Sequence, residues 1–443
     1  MTPTEHAITP PADERLSRRV SQIVIVVAVV VLAVGAAAQL GVIDELGTAA
    51  SPLVGEWELG VRWWGLLVAG LACAAAVAGA PRLLAVRWHP AVVALALYLL
   101  AVGLGLALNV VRDGTDGWTR MFDLGPAGSF EAPNEYLPAL PSLDFGVWFY
   151  LDRFAEMVPA FPVHVAGHPA GPLLLLHLFG VSTAGGMAAL VVLGGSLCAP
   201  LAYRLGWTLH GEPAGRVAGL LCACSPLMLL FGVSSFDYVF AAAGAVAACL
   251  LAARGWGWRA AGALALGAAV LLNWALLAVG AWAALLAWRR DGWRSALVLA
   301  AACGAGLVVV HGSLALAYGY DPVGTIRATE QVYRDSIAQF RPYWFWVLGS
   351  PVAWGITLGI PIAAGAIRAA VARTPAGVAL AAVIAIAAIG GFSKAETERI
   401  WLFLVPLACA AAAPYVRDGR GRLVVGILLG QALAMQVLMD TVW

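Results

Sequence analysis

The residues best suited to chemistry lie in one polar segment, residues 112–182, of an otherwise apolar chain. Most acids in such a segment belong to a solvated surface, but a carboxylate in an apolar setting can act as a general base or bind a metal ion. Glu135 is the strongest candidate for a base, because two flanking prolines and apolar neighbours would desolvate its carboxylate and raise its pKa. Asp116 and Asp123 are the next candidates.

Two histidines follow in the same segment, and their spacing raises the question of a metal site. His164 and His168 are four residues apart, but Gly167 and Pro169 oppose the continuous helix that would place both on one face. A zinc site also needs a third ligand, which we cannot identify in the sequence, so we predict no metal site. We interpret the stiff turn His168–Pro172 as a place where the imidazole donates a hydrogen bond to an anionic group.

Cations are concentrated in a late polar turn, residues 391–399. It contains the only lysine of the chain, Lys394, and it places Arg399 directly before the next apolar stretch. These cations either pair with Glu396 and Glu398 or bind a phosphate group, with Arg399 as its main ligand. Three further arginines lie in a polar segment at residues 318–342, namely Arg327, Arg334 and Arg341.

A fourth polar segment, residues 234–238, is very short and contains Asp237. An aspartate at the start of a helix often accepts hydrogen bonds from the first backbone N–H groups of that helix. We therefore interpret Asp237 as a helix cap.

The composition determines what kind of scaffold carries these residues. Of 443 residues, 62% are hydrophobic and only 12% are charged, and apolar runs of about 18 or more residues recur along the chain. A soluble core cannot bury so much apolar surface, so we predict an all-α polytopic membrane protein. The net charge of +1 and the lack of basic runs give no indication of a nucleic-acid partner. All seven cysteines lie in apolar stretches, where we expect buried thiols and no disulfides.

We predict about thirteen transmembrane helices, which form a single domain over residues 20–443 after a disordered cytoplasmic tail at residues 1–19. The predicted spans are 20–42, 62–80, 90–111, 183–205, 215–232, 235–254, 258–272, 274–289, 295–317, 343–367, 375–392, 400–416 and 423–440. Residues 258–289 could instead form one tilted helix, but that would move a group of arginines to the acidic side. With the separate spans, the positive-inside rule places the arginine-rich loops and the N-terminus in the cytoplasm. The C-terminus and all four polar segments are then extracytoplasmic.

The long segment 112–182 is itself expected to be folded. Between residues 144 and 158, aromatic and aliphatic residues are interleaved with charged ones in the pattern of an amphipathic helix at the membrane surface. A second apolar helix, predicted at residues 173–180, is too short to cross the bilayer and should pack at the outer surface.

The order of these features resembles the GT-C superfamily of glycosyltransferases, which use polyprenyl-phosphate sugars. The resemblance is greatest to the protein O-mannosyltransferase and aminoarabinose transferase group, in an actinobacterial form, and covers about residues 100–415. It rests on Glu135-Tyr136, His168–Pro172, Ser225-Pro226, Asp237, Asn273 and Glu398–Trp401. The chain departs from the pattern at Asn134, where an acid would precede Glu135, and at Ala170, which replaces a second proline. Two extra spans also precede the long segment.

The resemblance implies a fold and a mechanism. The fold would be a GT-C-like helical bundle in the plasma membrane, with an extracytoplasmic catalytic loop that carries juxtamembrane helices. Glu135 or another loop acid would deprotonate the hydroxyl group of a glycan, lipid or protein acceptor. The phosphate of the polyprenyl-phosphate donor would be held by His168, Lys394, Arg399 and Arg341. No organic cofactor is expected, and a divalent metal ion is compatible with the family but not required by this sequence.

Two other functions are compatible with a polytopic membrane protein. A transporter or flippase for a lipid-linked or small polar solute is the main alternative, although transporters usually place ionisable residues within their spans and often show internal repeats. The spans predicted here contain almost no ionisable residues, and we find no clear repeat. A noncatalytic scaffold is the third alternative, which the folded outer loop disfavours.

Overall fold

The computed structural model describes residues 14–416 and 419–441, which are helical almost throughout. The α-helices are α1 (Glu14–Gln39), α2 (Trp63–Ala85), α3 (Pro90–Asp113), α4 (Val147–Met157), α5 (Val163–Ala166), α6 (Gly171–Leu178), α7 (Ala184–Gly195), α8 (Cys198–His210), α9 (Glu212–Cys224), α10 (Asp237–Ala252), α11 (Trp256–Leu272), α12 (Leu277–Asp291), α13 (Trp293–Tyr318), α14 (Pro322–Asp335), α15 (Tyr343–Leu358), α16 (Ile360–Val371), α17 (Pro375–Gly390), α18 (Thr397–Ile400), α19 (Val405–Ala412) and α20 (Gly421–Leu438). Two short strands, β1 (Glu56–Trp57) and β2 (Met439–Asp440), pair antiparallel. Of the predicted tail, residues 1–13 lie outside the described residues, whereas residues 14–19 belong to α1.

Within residues 14–416 and 419–441, six helices are long and apolar enough to cross a membrane, and one bent pair would make a seventh span. The six are Arg18–Gln39, Trp63–Ala85, Pro90–Phe122, Ala184–His210, Trp293–Tyr318 and Gly421–Leu438. Shorter apolar helices accompany them at Asp237–Ala252, Trp256–Leu272, Pro375–Gly390 and Leu402–Tyr415. The chain is therefore an all-α multi-pass membrane protein, as its composition predicts. The count of thirteen spans stays a prediction.

Two predicted spans are interrupted where glycine or proline ends a helix. The predicted span 343–367 consists of α15 and α16, which are bent by 120° relative to each other at Gly359. Gly359 has a φ of 109°, and Pro361 in the first turn of α16 lacks the N–H group that would continue α15. The predicted span 215–232 is divided into α9 and a π-helical turn at Met228–Gly232, because a proline lies between them.

Loops that are predicted to lie on the same side of the membrane contact one another. On the predicted cytoplasmic side, Arg216 donates to the carbonyl oxygen of Leu83 at 3.1 Å. On that side, too, Arg290 donates to the carbonyl oxygen of Ala252 at 3.3 Å. On the other side, hydrogen bonds join all four polar segments.

The segment 112–182 is folded into short helices, as predicted. The helix α4 buries Tyr150, Leu151 and Phe154, while aromatic side chains on its other face are exposed. The helix α6 lies close to the predicted range 173–180. Because α14 packs against α4, short helices from two different polar segments lie side by side.

Candidate functional site

Arg399 joins three of the four polar segments through its guanidinium group. Its Nη1 donates to Asp237 Oδ2 and to His164 Nδ1, each at 2.8 Å, and its Nη2 donates to Glu396 Oε2 at 3.0 Å. Arg341 connects the fourth polar segment, residues 318–342, because its Nη2 donates to Glu396 Oε1 at 2.6 Å. We call these groups and their neighbours the buried polar cluster, whose members are Glu131, Glu135, His164, His168, Asp237, Asn273, Arg341, Glu396 and Arg399.

The backbone is irregular beside both partners of the central ion pair between Asp237 and Arg399. Ala395 and Glu396 have φ values of 63° and 57°, a left-handed conformation that costs a non-glycine residue about 1–2 kcal/mol. Asp237 begins α10 shortly after the π-helical turn at Met228–Gly232. Strained residues and π-helical turns are frequent at functional sites, so both irregularities support the cluster as a candidate site.

Glu135 is a buried carboxylate without a hydrogen-bond donor. Only 1% of its surface is exposed, and neither of its oxygens has a hydrogen-bond partner among the described residues. His164 Nδ1 lies 3.9 Å from Glu135 Oε1, beyond hydrogen-bonding distance. Burial raises the pKa of the Glu135 carboxyl, and the nearby Arg399 guanidinium group opposes this shift without cancelling it. A buried carboxylate with a raised pKa is well suited to accept a proton.

Both histidines of the cluster are engaged within the protein. His164 Nδ1 accepts from Arg399, so the proton of this ring is on Nε2, which lies 3.9 Å from Glu131 Oε2. Burial lowers the pKa of His168 to about 4, so its ring is neutral. His168 Nδ1 donates to the carbonyl oxygen of His164 at 2.5 Å, and its Nε2 accepts from Asn273 Nδ2 at 3.2 Å. The single N–H group of His168 therefore donates to a main-chain carbonyl oxygen and not to an anion.

Glu396 engages two of the arginines that the sequence assigns to a phosphate. Burial would raise the pKa of its carboxyl, but Arg341 and Arg399 together lower it to about 2. Lys394 differs, because it is partly exposed and its ammonium group makes one hydrogen bond among the described residues, to the carbonyl oxygen of Ala338 at 3.0 Å. An ammonium group has three N–H donors, so Lys394 retains donors for an anion.

Asp116 and Asp123, the other candidate bases, lie outside the cluster. Asp116 is exposed on the 3₁₀ turn Gly114–Trp118. Asp123 Oδ1 accepts a hydrogen bond from the backbone N–H of Gly125 at 2.9 Å, which is the ordinary role of an aspartate in a turn. In the part of the chain that the structure describes, neither carboxylate bonds to a member of the cluster.

Asp237 belongs to the cluster, and the interpretation of this residue as a helix cap is wrong. It is the first residue of α10, and its carboxylate accepts from Arg399 and from the hydroxyl group of Ser235 at 2.9 Å. Asn273 also points into the cluster, where its Nδ2 lies 3.5 Å from Asp237 Oδ1. Apart from the resemblance, the sequence marks these two residues only by their polarity next to long apolar stretches.

Comparison with known proteins gives no further assignment. No protein-family model matches the chain, and no curated protein matches it. The seven cysteines are free thiols, of which five are buried and two, Cys73 and Cys249, are partly exposed. Across residues 14–416 and 419–441, no three His, Cys, Asp or Glu side chains are grouped as ligands of a metal ion. The function therefore has to be inferred from the chemistry of the cluster.

Proposed function

We propose that this protein is a membrane-embedded glycosyltransferase with a GT-C-like bundle. It moves a sugar from a polyprenyl-phosphate donor in the bilayer to a hydroxyl group of an extracytoplasmic glycan, lipid or protein. The observation that carries the proposal is Glu135, a buried carboxylate with a raised pKa and no donor, in a cluster where the four polar segments meet. Acceptor activation needs such a base close to cations that stabilise the leaving group.

In the proposed reaction, Glu135 removes the proton from the acceptor hydroxyl group. The acceptor oxygen forms a bond to the anomeric carbon while the bond from that carbon to the phosphate oxygen breaks, with inversion at the carbon. Polyprenyl phosphate leaves with the bonding electrons, and the protonated Glu135 returns its proton to solvent. A positioned general base contributes about 10²–10⁴-fold to the rate of such a step.

The cations have separate roles in this proposal. Arg399 is a positioning residue, because its guanidinium group is bound to Asp237 and Glu396 and thereby fixes the segments around Glu135. Lys394 is the stronger candidate for contact with the donor phosphate, since its ammonium group retains donors. Arg341 positions Lys394 by donating to its carbonyl oxygen at 2.7 Å. This assignment differs from the sequence-based expectation that Arg399 is the main phosphate ligand.

The proposed reaction requires a movement at the cluster. The Glu135 carboxylate is covered, so an acceptor hydroxyl group reaches it only when a covering segment shifts. The segment 391–399 is suited to this movement, because the left-handed residues Ala395 and Glu396 would relax when it opens.

Glu135→Gln tests the proposal. The substitution preserves the shape of the side chain and removes no hydrogen bond, so the fold should persist while sugar transfer is abolished in membranes supplied with polyprenyl-phosphate sugars. Glu156→Gln is the matched control, because Glu156 is an exposed acid of α4 that pairs with Arg153 outside the cluster. Asp116→Asn and Asp123→Asn should also retain activity. Unchanged turnover in Glu135→Gln would exclude Glu135 as the base.

The same membranes test the main alternative. A transporter or flippase would carry its lipid-linked solute across the bilayer unchanged, which can be followed in sealed vesicles by protection of the solute from an added reagent. Translocation by the wild-type protein without any transfer product would contradict the enzyme proposal.

A further inference from the structure

A separate polar cavity lies beside the buried polar cluster. It has a volume of about 190 Å³ and is lined by residues from the end of α3, from the segment that follows α3, and from the end of α20. Ser129 and Ser234, two of its lining residues, lie in the segments that supply Glu131 and Asp237 to the cluster. The backbone N–H of Glu131 donates to Ser129 Oγ at 3.3 Å, and Ser234 precedes Asp237 in the same short segment. The cavity and the cluster thus share structural elements but are lined by different side chains.

The lining of this cavity carries more negative than positive charge, because it has three carboxylates, those of Glu56, Asp113 and Asp440, and two guanidinium groups, those of Arg112 and Arg120. Arg120 Nη1 lies 2.8 Å from Asp113 Oδ2. Arg112 lies 2.9 Å from a carboxylate oxygen of Glu58 and 3.8 Å from one of Asp440. Because each guanidinium group already faces a carboxylate, the cavity has no excess positive charge with which to bind an anion such as phosphate. Its electrostatics therefore disfavour an anionic ligand.

Two side-chain amides line the cavity without a hydrogen-bond partner among the described residues. Gln436 is only 8% exposed, yet neither its amide nor that of Asn109 makes a hydrogen bond within the part of the chain that the structure describes. Each amide offers two N–H donors and a carbonyl acceptor. Amides of this kind recognise hydroxyl groups, which donate and accept with equal ease.

We propose that this cavity binds one sugar ring of a neutral, hydroxyl-rich acceptor, so that the acceptor of the proposed transferase is a carbohydrate. Hydroxyl groups would donate to the carboxylates and accept from the amides of the lining. Phe130, which is 73% exposed at the cavity, offers an aromatic face against which the C–H groups of a sugar ring pack. A volume of about 190 Å³ is smaller than the roughly 300–1,000 Å³ of sites for drug-sized ligands, which suits a single ring. The identification of the ligand as the acceptor rests on the proposed function.

The test measures binding of methyl glycosides to the full-length protein in lipid nanodiscs. The probes are methyl glycosides of neutral hexoses and pentoses, a methyl glycoside of a uronic acid, and inorganic phosphate. We expect saturable binding of at least one neutral glycoside, with no competition from phosphate. Gln436→Leu and Asn109→Leu should each weaken that binding by tenfold or more. Neither change removes a hydrogen bond within the protein, so thermal stability should be retained.

A matched pair of phenylalanines controls for general effects on the outer surface. Phe130→Ala should weaken glycoside binding, whereas Phe145→Ala, at a 75% exposed position of the same polar segment that does not line the cavity, should not. The proposal is overturned if no neutral glycoside binds, if phosphate or the uronic acid glycoside binds in preference, or if Gln436→Leu binds as well as the wild type.

Failure of this inference can be distinguished from failure of the proposed function. Glu135 does not line the cavity, so Glu135→Gln should bind the glycoside with wild-type affinity. Glycoside binding together with full turnover in Glu135→Gln would refute the assigned base and leave the cavity site standing. Loss of turnover in Glu135→Gln without glycoside binding in the wild type would refute only the carbohydrate site.

Discussion

Removal of the Arg399 guanidinium group should be the most costly single change in the buried polar cluster. Arg399 is 6% exposed and bonds to the carboxylates of Asp237 and Glu396. Arg399→Met breaks both ion pairs, but Glu396 keeps its bond to Arg341, so only Asp237 is left without a cation. Among the described residues, the Asp237 carboxylate would then accept hydrogen bonds only from the hydroxyl group of Ser235 and, at 3.5 Å, from the Asn273 amide. Breaking one buried ion pair costs about 3–5 kcal/mol, and we expect Arg399→Met to lose that much unfolding free energy.

A second substitution shows whether the loss has this cause. Asp237→Asn in the Arg399→Met background removes the uncompensated charge, so the double variant should be more stable than Arg399→Met alone. Chemical denaturation of the purified protein in mild detergent would give the unfolding free energies. Arg153→Met is the control, because Arg153 is a half-exposed arginine in an ion pair on α4 and should contribute little to stability. The reasoning fails if Arg399→Met is as stable as the control, or if the two losses simply add.

Three further outcomes are expected. Burial raises the pKa of Glu398 to about 7, against an ordinary value of 4.5. Between these two pH values, the Glu398 carboxyl is protonated in the folded protein but not in the unfolded chain. The unfolding free energy should therefore fall by about 3 kcal/mol as pH rises through this window. Denaturation at several pH values should show that Glu398→Gln flattens this dependence. Lys394→Ala should raise the KM for the donor by about 10–100-fold, as for the loss of one charge-assisted hydrogen bond, with no change in the KM for the acceptor. Gly195→Ala should cost about 1–3 kcal/mol of unfolding free energy, because its Cβ would lie 2.1 Å from the ring of Tyr238. Gly194→Ala, with an ordinary contact of 3.6 Å, should cost little.

The apolar runs and the distribution of arginines predict a large part of the architecture. Hydrophobic stretches specify helices wherever they occur, because the bilayer requires backbone hydrogen bonds to be made within each segment. The distribution of arginines predicts which loops lie on the same side of the membrane. The four polar segments that it places together are joined by hydrogen bonds. The bend between α15 and α16 is less predictable. Gly359 and Pro361 mark a break in the sequence, but the angle of 120° depends on how the two helices pack.

The site is predictable only in part, because its pairings are remote in sequence. Glu135, Arg399 and Arg341 can be selected from their local setting, and they fall within the cluster. Asp237 cannot be assigned in this way, since an aspartate at the start of a helix looks the same whether it caps that helix or binds an arginine 162 residues away. The hydrogen bonding of His168 cannot be predicted from the sequence either, because its Nε2 accepts from Asn273, 105 residues away in sequence.

The hydrogen bonds of the cluster also distinguish the acid that is best suited to be the proposed base. Asp237 accepts from Arg399, Glu396 accepts from both Arg399 and Arg341, and Glu131 accepts from Asn134 at 2.9 Å. A carboxylate that accepts such bonds is stabilised as an anion and is a weaker base. Glu135 is the exception, since it is buried beside the same cations and accepts no hydrogen bond within the described residues. Burial raises the pKa of the Glu135 carboxyl, whereas the pKa values of Glu131 and Glu396 are lowered by their neighbours, so Glu135 accepts a proton more readily than these two acids.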